Sequence, residues 1–411
     1  MLKDRENKGI TLVALVVTIV ILFILAGISI SALTNTGIFQ KAKDAKVASE
    51  NAEKEQKQTL SEYEKELNKY TAQELTDDKI NKVLSETENI VLKDANGNIF
   101  TLPAGFKVVV NDDTGNAKTV DKGIVIEDET DVATKGSQFV WVPVGKIYTD
   151  VERMEENAKT ISLGRYDFDT KTGAESEYTG DYIEENVIDK STLKNYKEKA
   201  IAKNIVEFKN SVLVNCGYYI GRYEARTTVA RNNKEDMLAQ ITENGIDHVY
   251  NYVTQQQAAS KSQNMYSSNK FTSDLMNSFA WDTAITFIQG FTNQKNYAYK
   301  LSVNKKDIAL MGTNDETRYN GVRDVECNIW DMSSNEMEWT TETSNFSDKP
   351  CIARGGFFNS NEVYTSVRNS WSRYETFHSD MGSCFRPILY INRSEERRVG
   401  KECRSRWSPY H

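Results

Sequence analysis

Histidine is scarce in this chain of 411 residues, three in all, and only His248 and His378 precede the last stretch. Neither has a cysteine or a second histidine at ligand spacing, and no HExxH, CxxC, phosphate loop or nucleophile elbow occurs. These absences exclude zinc-peptidase, dithiol, P-loop and α/β-hydrolase chemistry of the usual kind. Positive charge is also short, 51 Lys and Arg against 59 Asp and Glu. A chain this acidic is not built for nucleic acid or anionic lipid. Cysteine is limited to five, and Cys216, Cys327, Cys351 and Cys384 precede the final stretch. Four such residues allow three pairings into two disulfides, and the sequence leaves the choice open.

What the chain does have is one long uncharged run. Ile10 to Ala32 holds 23 residues whose only polar groups are Thr11, Thr18, Ser29 and Ser31. At about 1.5 Å per residue a helix of that length reaches roughly 34 Å, enough to cross a hydrocarbon core of about 30 Å. A transmembrane helix is therefore expected over 10–33, with the membrane as a partner. The leader before it carries Lys3, Arg5 and Lys8, which favours a cytoplasmic N-terminus and an extracellular C-terminal domain at the cell surface. All four cysteines then lie in the exported part.

Lys8-Gly9-Ile10-Thr11-Leu12 resembles the leader junction of type IV prepilins and pseudopilins. That resemblance implies a leader over 1–9, cleavage between Gly9 and Ile10 by a prepilin peptidase, and pilus or pseudopilus subunits as partners. Ala14 stands where the family carries a glutamate tied to filament joining, a departure that weakens the filament reading. A plain signal anchor is the alternative.

The other terminus breaks from an acidic, Asn/Ser/Tyr-rich composition into a basic one. Residues 393–411, with the run EERRVGKECRSRW, resemble the translated read-through of a sequencing-library adapter and are set aside as a scar. Without them 45 basic residues face 56 acidic ones, a net charge of −11.

Between these ends the organisation changes in steps. Residues 34–75 form the expected helical stalk. From Ile38 to about Glu74 the chain is rich in Ala, Glu, Lys and Gln and lacks proline, while Leu60, Tyr63, Leu67 and Tyr70 make one apolar stripe. Residues 76–136 are expected as a small β-rich linker region, with a hairpin turning at Asp94-Ala-Asn-Gly-Asn. A domain is expected over 137–392. It opens on Phe139-Val-Trp-Val-Pro-Val and carries a charged excursion from Asp150 to Lys203. An amphipathic helix follows at Phe279–Ile288 with Trp281, Ile285 and Ile288 on one face.

The ordered set FVWVPV, YYIGRYEA, WDTAITF, NIWDMSSNEMEWT, RGGFF and CFRP resembles the formylglycine-generating enzyme, or sulfatase-modifying factor, family. The fold class this implies is α+β: a C-type-lectin-like (sulfatase-modifying-factor-like) domain, here on an N-terminal transmembrane helix and helical stalk. The oxygen-dependent enzyme of that family binds copper through two cysteines after its RGG element. Phe357 to Met381 contains no cysteine, so no copper is expected and formylglycine chemistry is not. The same resemblance implies a structural Ca²⁺ ligated through Asn335 and Glu338, which match the family's G-N-x-W-E-W element; Ser334 and Met337 depart from it. The alternative for Glu338 is a hydrogen bond from backbone or arginine in the core. Arg354 and Arg386 are assigned to structural pairing.

Phe357 to Asp380 carries six aromatics in 24 residues, 25% against 10% overall, among Asn, Ser and Arg. Rigid aromatics interleaved with adaptable polar groups compose a recognition surface. The candidate ligand-binding residues are Phe358, Asn359, Asn361, Tyr364, Arg368, Asn369, Trp371, Arg373, Tyr374 and His378. Non-catalytic relatives with their ligand site on this segment include the variable proteins of diversity-generating retroelements. The expected function is a membrane-anchored or pilus-associated surface protein that displays a non-catalytic domain for an extracellular protein or glycan, an adhesin or receptor. The alternatives are a formylglycine-generating-type enzyme with altered chemistry and a structural minor pilin.

Overall fold

The computed structural model describes residues 43–49, 51–52, 59, 68, 71–130, 133–184, 202–227, 248–301, 324–344, 349–356, 363–371 and 383–392. The junction Gly9–Ile10, the run 10–33 and the tail 393–411 lie outside them. Among the described residues no helix is long and apolar enough to cross a membrane. The chain divides into two units, Met1–Tyr63 and Glu64–His411. In the first, residues 43–49 are helical and exposed; the helical stalk expected to residue 75 stops short of Gln73–Glu74, which pairs as a strand with Leu92–Lys93.

The second unit is a mixed α+β body, rich in strand with few helices. Its strands begin with β1 (Gln73–Glu74), β2 (Ile90–Lys93), β3 (Ile99–Leu102), β4 (Phe106–Val109), β5 (Val125–Asp128), β6 (Gln138–Pro143) and β7 (Gly145–Ile147). Next come β8 (Lys159–Ile161), β9 (Tyr166–Phe168) and β10 (Glu175–Glu177), then helix α1 (Ile205–Asn215) and β11 (Gly217–Gly221). After β12 (Arg226–Thr227) and β13 (His248–Val249) stand α2 (Gln255–Gln263), β14 (Phe271–Leu275) and α3 (Ser278–Phe291). The chain finishes with β15 (Val325–Glu326), β16 (Ile329–Trp330), β17 (Met337–Thr343), β18 (Cys351–Arg354), β19 (Arg368–Trp371), β20 (Ser383–Phe385) and β21 (Pro387–Ile391).

Six strands form one antiparallel sheet in the order β14-β21-β11-β6-β5-β4. Side chains alternate across a strand, so Val140 and Val142 of β6 join one apolar cluster while Phe139 and Trp141 join the other. The first cluster is closed by Phe208 and Val212 of α1 and by Trp281, Ile285 and Ile288 of α3. The second is closed by Leu92, Phe100 and Leu102 of the β2–β3 hairpin. Burial on both faces is why FVWVPV reads as an unbroken apolar run.

That packing corrects the expected boundary at 136. Residues 76–136 are no separate linker: β4 and β5 are the last two strands of the main sheet. Phe106, Val108, Val120, Ile124 and Ile126 lie in its core. The hairpin itself forms where expected, with Asp94 accepting from the backbone of Asn98 at 2.8 Å and Gly97 at φ +77°, a conformation glycine adopts without strain.

Helices α1, α2 and α3 are capped by their own sequence. Asn204 accepts from Glu207 N, Asn277 from Ala280 N, and Thr254 with Gln257 forms a reciprocal capping box. Helix α3 differs from the amphipathic expectation. Trp281, Ile285 and Ile288 are buried, and so are Asp282, Thr283 and Thr286. Its polar residues face a buried polar layer rather than water, which explains a lone aspartate in an otherwise apolar helix.

A second sheet of four strands, β19-β18-β17-β20, adjoins this layer, with β20 running parallel to β17. Cys351 pairs opposite Thr343 on one side of β17 and Cys384 opposite Glu338 on the other. They stand two strand spacings apart, and their partners are separated by about 16 Å along β17 at roughly 3.3 Å per residue. A disulfide needs Cα atoms within about 7 Å. The pairing of Cys351 with Cys384 is thereby excluded, and all four described cysteines are thiols.

Candidate functional site

Strand β17 carries two buried carboxylates that organise separate polar clusters. Glu338 opens the first. Its carboxylate accepts from Arg386 Nε at 3.1 and 3.0 Å and from Nη2 at 2.5 Å, while the same guanidinium donates to Gly221 O and Trp330 O at 2.8 Å. The Arg386 pairing expected from the sequence is present, and it is Glu338 that fills it. Asn335, at φ +68°, donates its amide to the Glu224 carboxylate, which also accepts from Glu336 N at 3.0 Å.

Charge is unbalanced in this cluster. Burial, then the neighbouring Asp331 and Glu338, pushes the Glu224 carboxyl well above the usual range, against the pull of Arg386. Burial likewise raises Glu338, with Arg386 opposing it. Donor atoms of Glu224, Glu338 and Cys384 all lie within 4.8 Å of one another. Burial and the adjoining carboxylates push the Cys384 thiol up, so it stays protonated. The oxygens of Glu224 and Glu338, beside one guanidinium, suit a hard divalent cation; a protonated thiol does not serve a soft one.

Glu342 organises the second cluster with Asp282 of α3. Arg354 reaches Glu342 at 3.2 Å and Asp282 at 2.5 Å, and donates Nε to Val367 O at 2.7 Å. Arg368 reaches Glu342 through Nε at 2.9 Å and Asp282 through Nη2. Arg165 adds a third guanidinium on Glu342 and donates to Tyr182 O at 2.8 Å. The Tyr178 ring lies 4.0 Å from the Arg368 guanidinium and 4.6 Å from that of Arg165. Burial would raise Glu342, but Arg368, Arg354 and Arg165 outweigh it and hold its carboxyl below the usual range.

The expected ligand-binding set is divided by this arrangement. Arg368 is corrected: its side chain is 8% exposed and committed to two buried carboxylates, so it frames the segment rather than offering a charge to a ligand. Tyr364 is half-buried, its ring 4.7 Å from that of Tyr299. Asn369 directs its amide to Met337 Sδ at 3.9 Å, and Trp371 holds the backbone position opposite Cys351. Phe358, Asn359, Asn361, Arg373, Tyr374 and His378 lie outside the described residues.

Asp282, Glu342, Glu224 and Arg165 were not expected at a site. The signal available for the acids was Arg354 and Arg386 themselves, since a buried guanidinium requires a carboxylate partner, together with a lone Asp in the apolar run of α3. No family model matches the chain, and neither any curated protein nor any solved structure matches it.

Proposed function

We propose that this chain is a membrane-anchored, prepilin-like surface protein whose exported domain, of C-type-lectin-like and sulfatase-modifying-factor-like fold, binds an extracellular protein or glycan without catalysis. The observation that carries the reading is the frame around the final segment. Residues 357–362 join β18 to the bridge at Tyr364, and residues 372–382 join β19 to β20. All three strands belong to the sheet whose β17, β18 and β19 are cross-tied to α3 through Glu342, Arg354, Arg368 and Asp282. Recognition residues are commonly carried on connections held by a rigid scaffold. The aromatic and polar composition of 357–380 supplies that recognition chemistry. Wide separation of Cys351 from Cys384 supports the non-catalytic reading over a copper-dependent formylglycine enzyme, because two adjacent thiolates are what copper(I) would need.

A structural Ca²⁺ belongs to the same proposal. Glu224 and Glu338 would hold it beside Asn335, and it would supply the positive charge that Arg386 alone does not. The membrane, a prepilin peptidase and, less directly, pilus or pseudopilus subunits are the proposed partners.

Two measurements test the reading. Trp371→Ala or Tyr374→Ala should weaken capture of surface glycans or proteins by roughly 2 kcal/mol for a central anchor. Capture unchanged in both variants would place the ligand elsewhere. Mass spectrometry of the membrane form, made with a prepilin peptidase, should give a mature chain beginning at Ile10. An intact Met1 under those conditions would leave only an unprocessed signal anchor.

A further inference from the structure

The tip of the β2–β3 hairpin meets the segment that follows β6 and borders a cavity of about 310 Å³. Three cations line it, Lys93, Lys146 and Arg153, and no acidic residue does, in a chain of net charge −8. The floor is apolar, from Ile99 and Ile147. The structure holds Arg153 in a set position. Its guanidinium lies 4.3 Å from the Tyr148 ring centre, and its backbone sits at φ +54°. A Cβ on Gly97 would come within 3.2 Å of both its Cδ and its Nη1, so the side chain packs closely on the hairpin glycine. No carboxylate among the described residues is ion-paired with it.

Both lysines are paired with exposed acids. Lys93 meets Glu74 at 2.6 Å and Lys146 meets Glu155 at 2.6 Å, with those acids 61% and 67% exposed. Exposed pairs of this kind are weak and screened by solvent, so they hold the lysines loosely. A guanidinium fork matches a carboxylate or sulfate bidentately, and two ammonium groups beside it add point charges. The volume lies at the lower end of the range of roughly 300–1,000 Å³ for small-molecule sites.

We propose that this cavity binds a monosaccharide-sized molecule bearing one oxyanion, a carboxylate or a sulfate, with Arg153 taking the oxyanion in its fork and Lys93 and Lys146 closing over it. The apolar floor carries the body of the ligand, and the anion provides the anchor. The site shares no residue with the segment 357–380.

Titration of the full chain by calorimetry with glucuronate, glucose 6-sulfate and glucose tests this. Glucuronate, glucose 6-sulfate or both should bind, and at least tenfold more weakly when salt rises from about 50 to about 500 mM, as screening requires. Glucose should not bind measurably. Binding by one oxyanion only identifies the head group. Arg153→Gln should weaken binding at least tenfold and Lys146→Gln a few-fold, with melting temperature unchanged because both side chains are exposed. Trp371→Ala should leave it intact, which separates this site from the final segment. Equal binding of glucose, no binding of either oxyanion, or full affinity in Arg153→Gln would overturn the proposal.

Discussion

Glu342→Ala should destabilise the second unit by about 3–5 kcal/mol, the range for removing one partner of a buried ion pair. Three guanidiniums converge on this carboxylate: Arg354 at 3.2 Å, Arg368 at 2.9 Å, and Arg165. Its removal leaves Asp282 to serve both Arg354 and Arg368, and the side chains of Glu342 and Arg354 have no access to water. Glu342→Gln keeps the shape and one acceptor, so it should fall between wild type and alanine. Glu88→Ala, which removes an exposed partner of Lys270, should change stability by less than about 1 kcal/mol.

The pH dependence of that loss has a definite sign. The Glu342 carboxyl is held below its ordinary value in the folded chain. Its stabilisation is therefore in place above the unfolded value near 4.5 and disappears as pH falls through the lower folded value. Wild type and Glu342→Ala should converge on acidification. Urea denaturation across pH 3–7 reads both effects. A difference under 1 kcal/mol at pH 7 would mean that the arginines find other partners and that the frame around the final segment is not fixed by this acid.

How far the residues alone reached depended on whether the determining contact was local. The hairpin at Asp94–Asn98 closes through bonds spanning four residues, and its turn chemistry is written in the stretch itself. Helix α3 and the buried strand β6 announce themselves by apolar density. Attachment of β4 and β5 to the main sheet did not, because a strand's neighbours are chosen by distant partners: β6 pairs with β5 on one side and with β11, some eighty residues later, on the other. Arg368 illustrates the same limit at a single side chain. Among Asn, Ser and aromatics it resembles a recognition arginine, yet its partners lie 26 and 86 residues back in the chain. Arg354 and Arg386 could be assigned to pairing from their own surroundings, while the acids that complete those pairs could not.

Arg386→Met should cost about 3–5 kcal/mol at pH 8, because the guanidinium that satisfies Glu338, Gly221 O and Trp330 O is fully buried. Here the pH response runs opposite to that of Glu342. Burial already raises Glu224 and Glu338 above their ordinary values while Arg386 pulls both down. Without that cation both carboxyls rise further, so the variant's stability is highest below the unfolded value and falls as pH climbs through the raised folded values. The deficit against wild type should therefore shrink as pH drops from 8 toward 5. Calcium offers the same relief by a different route: a divalent ion held by Glu224 and Glu338 would replace the missing charge and stabilise by mass action. Added Ca²⁺ at pH 8 should then restore most of the lost stability in Arg386→Met, and chelator should lower that of wild type. If acid narrows the gap and calcium does not, the cluster relieves its repulsion by holding protons, and the proposed cation site is wrong while the ion pair stands.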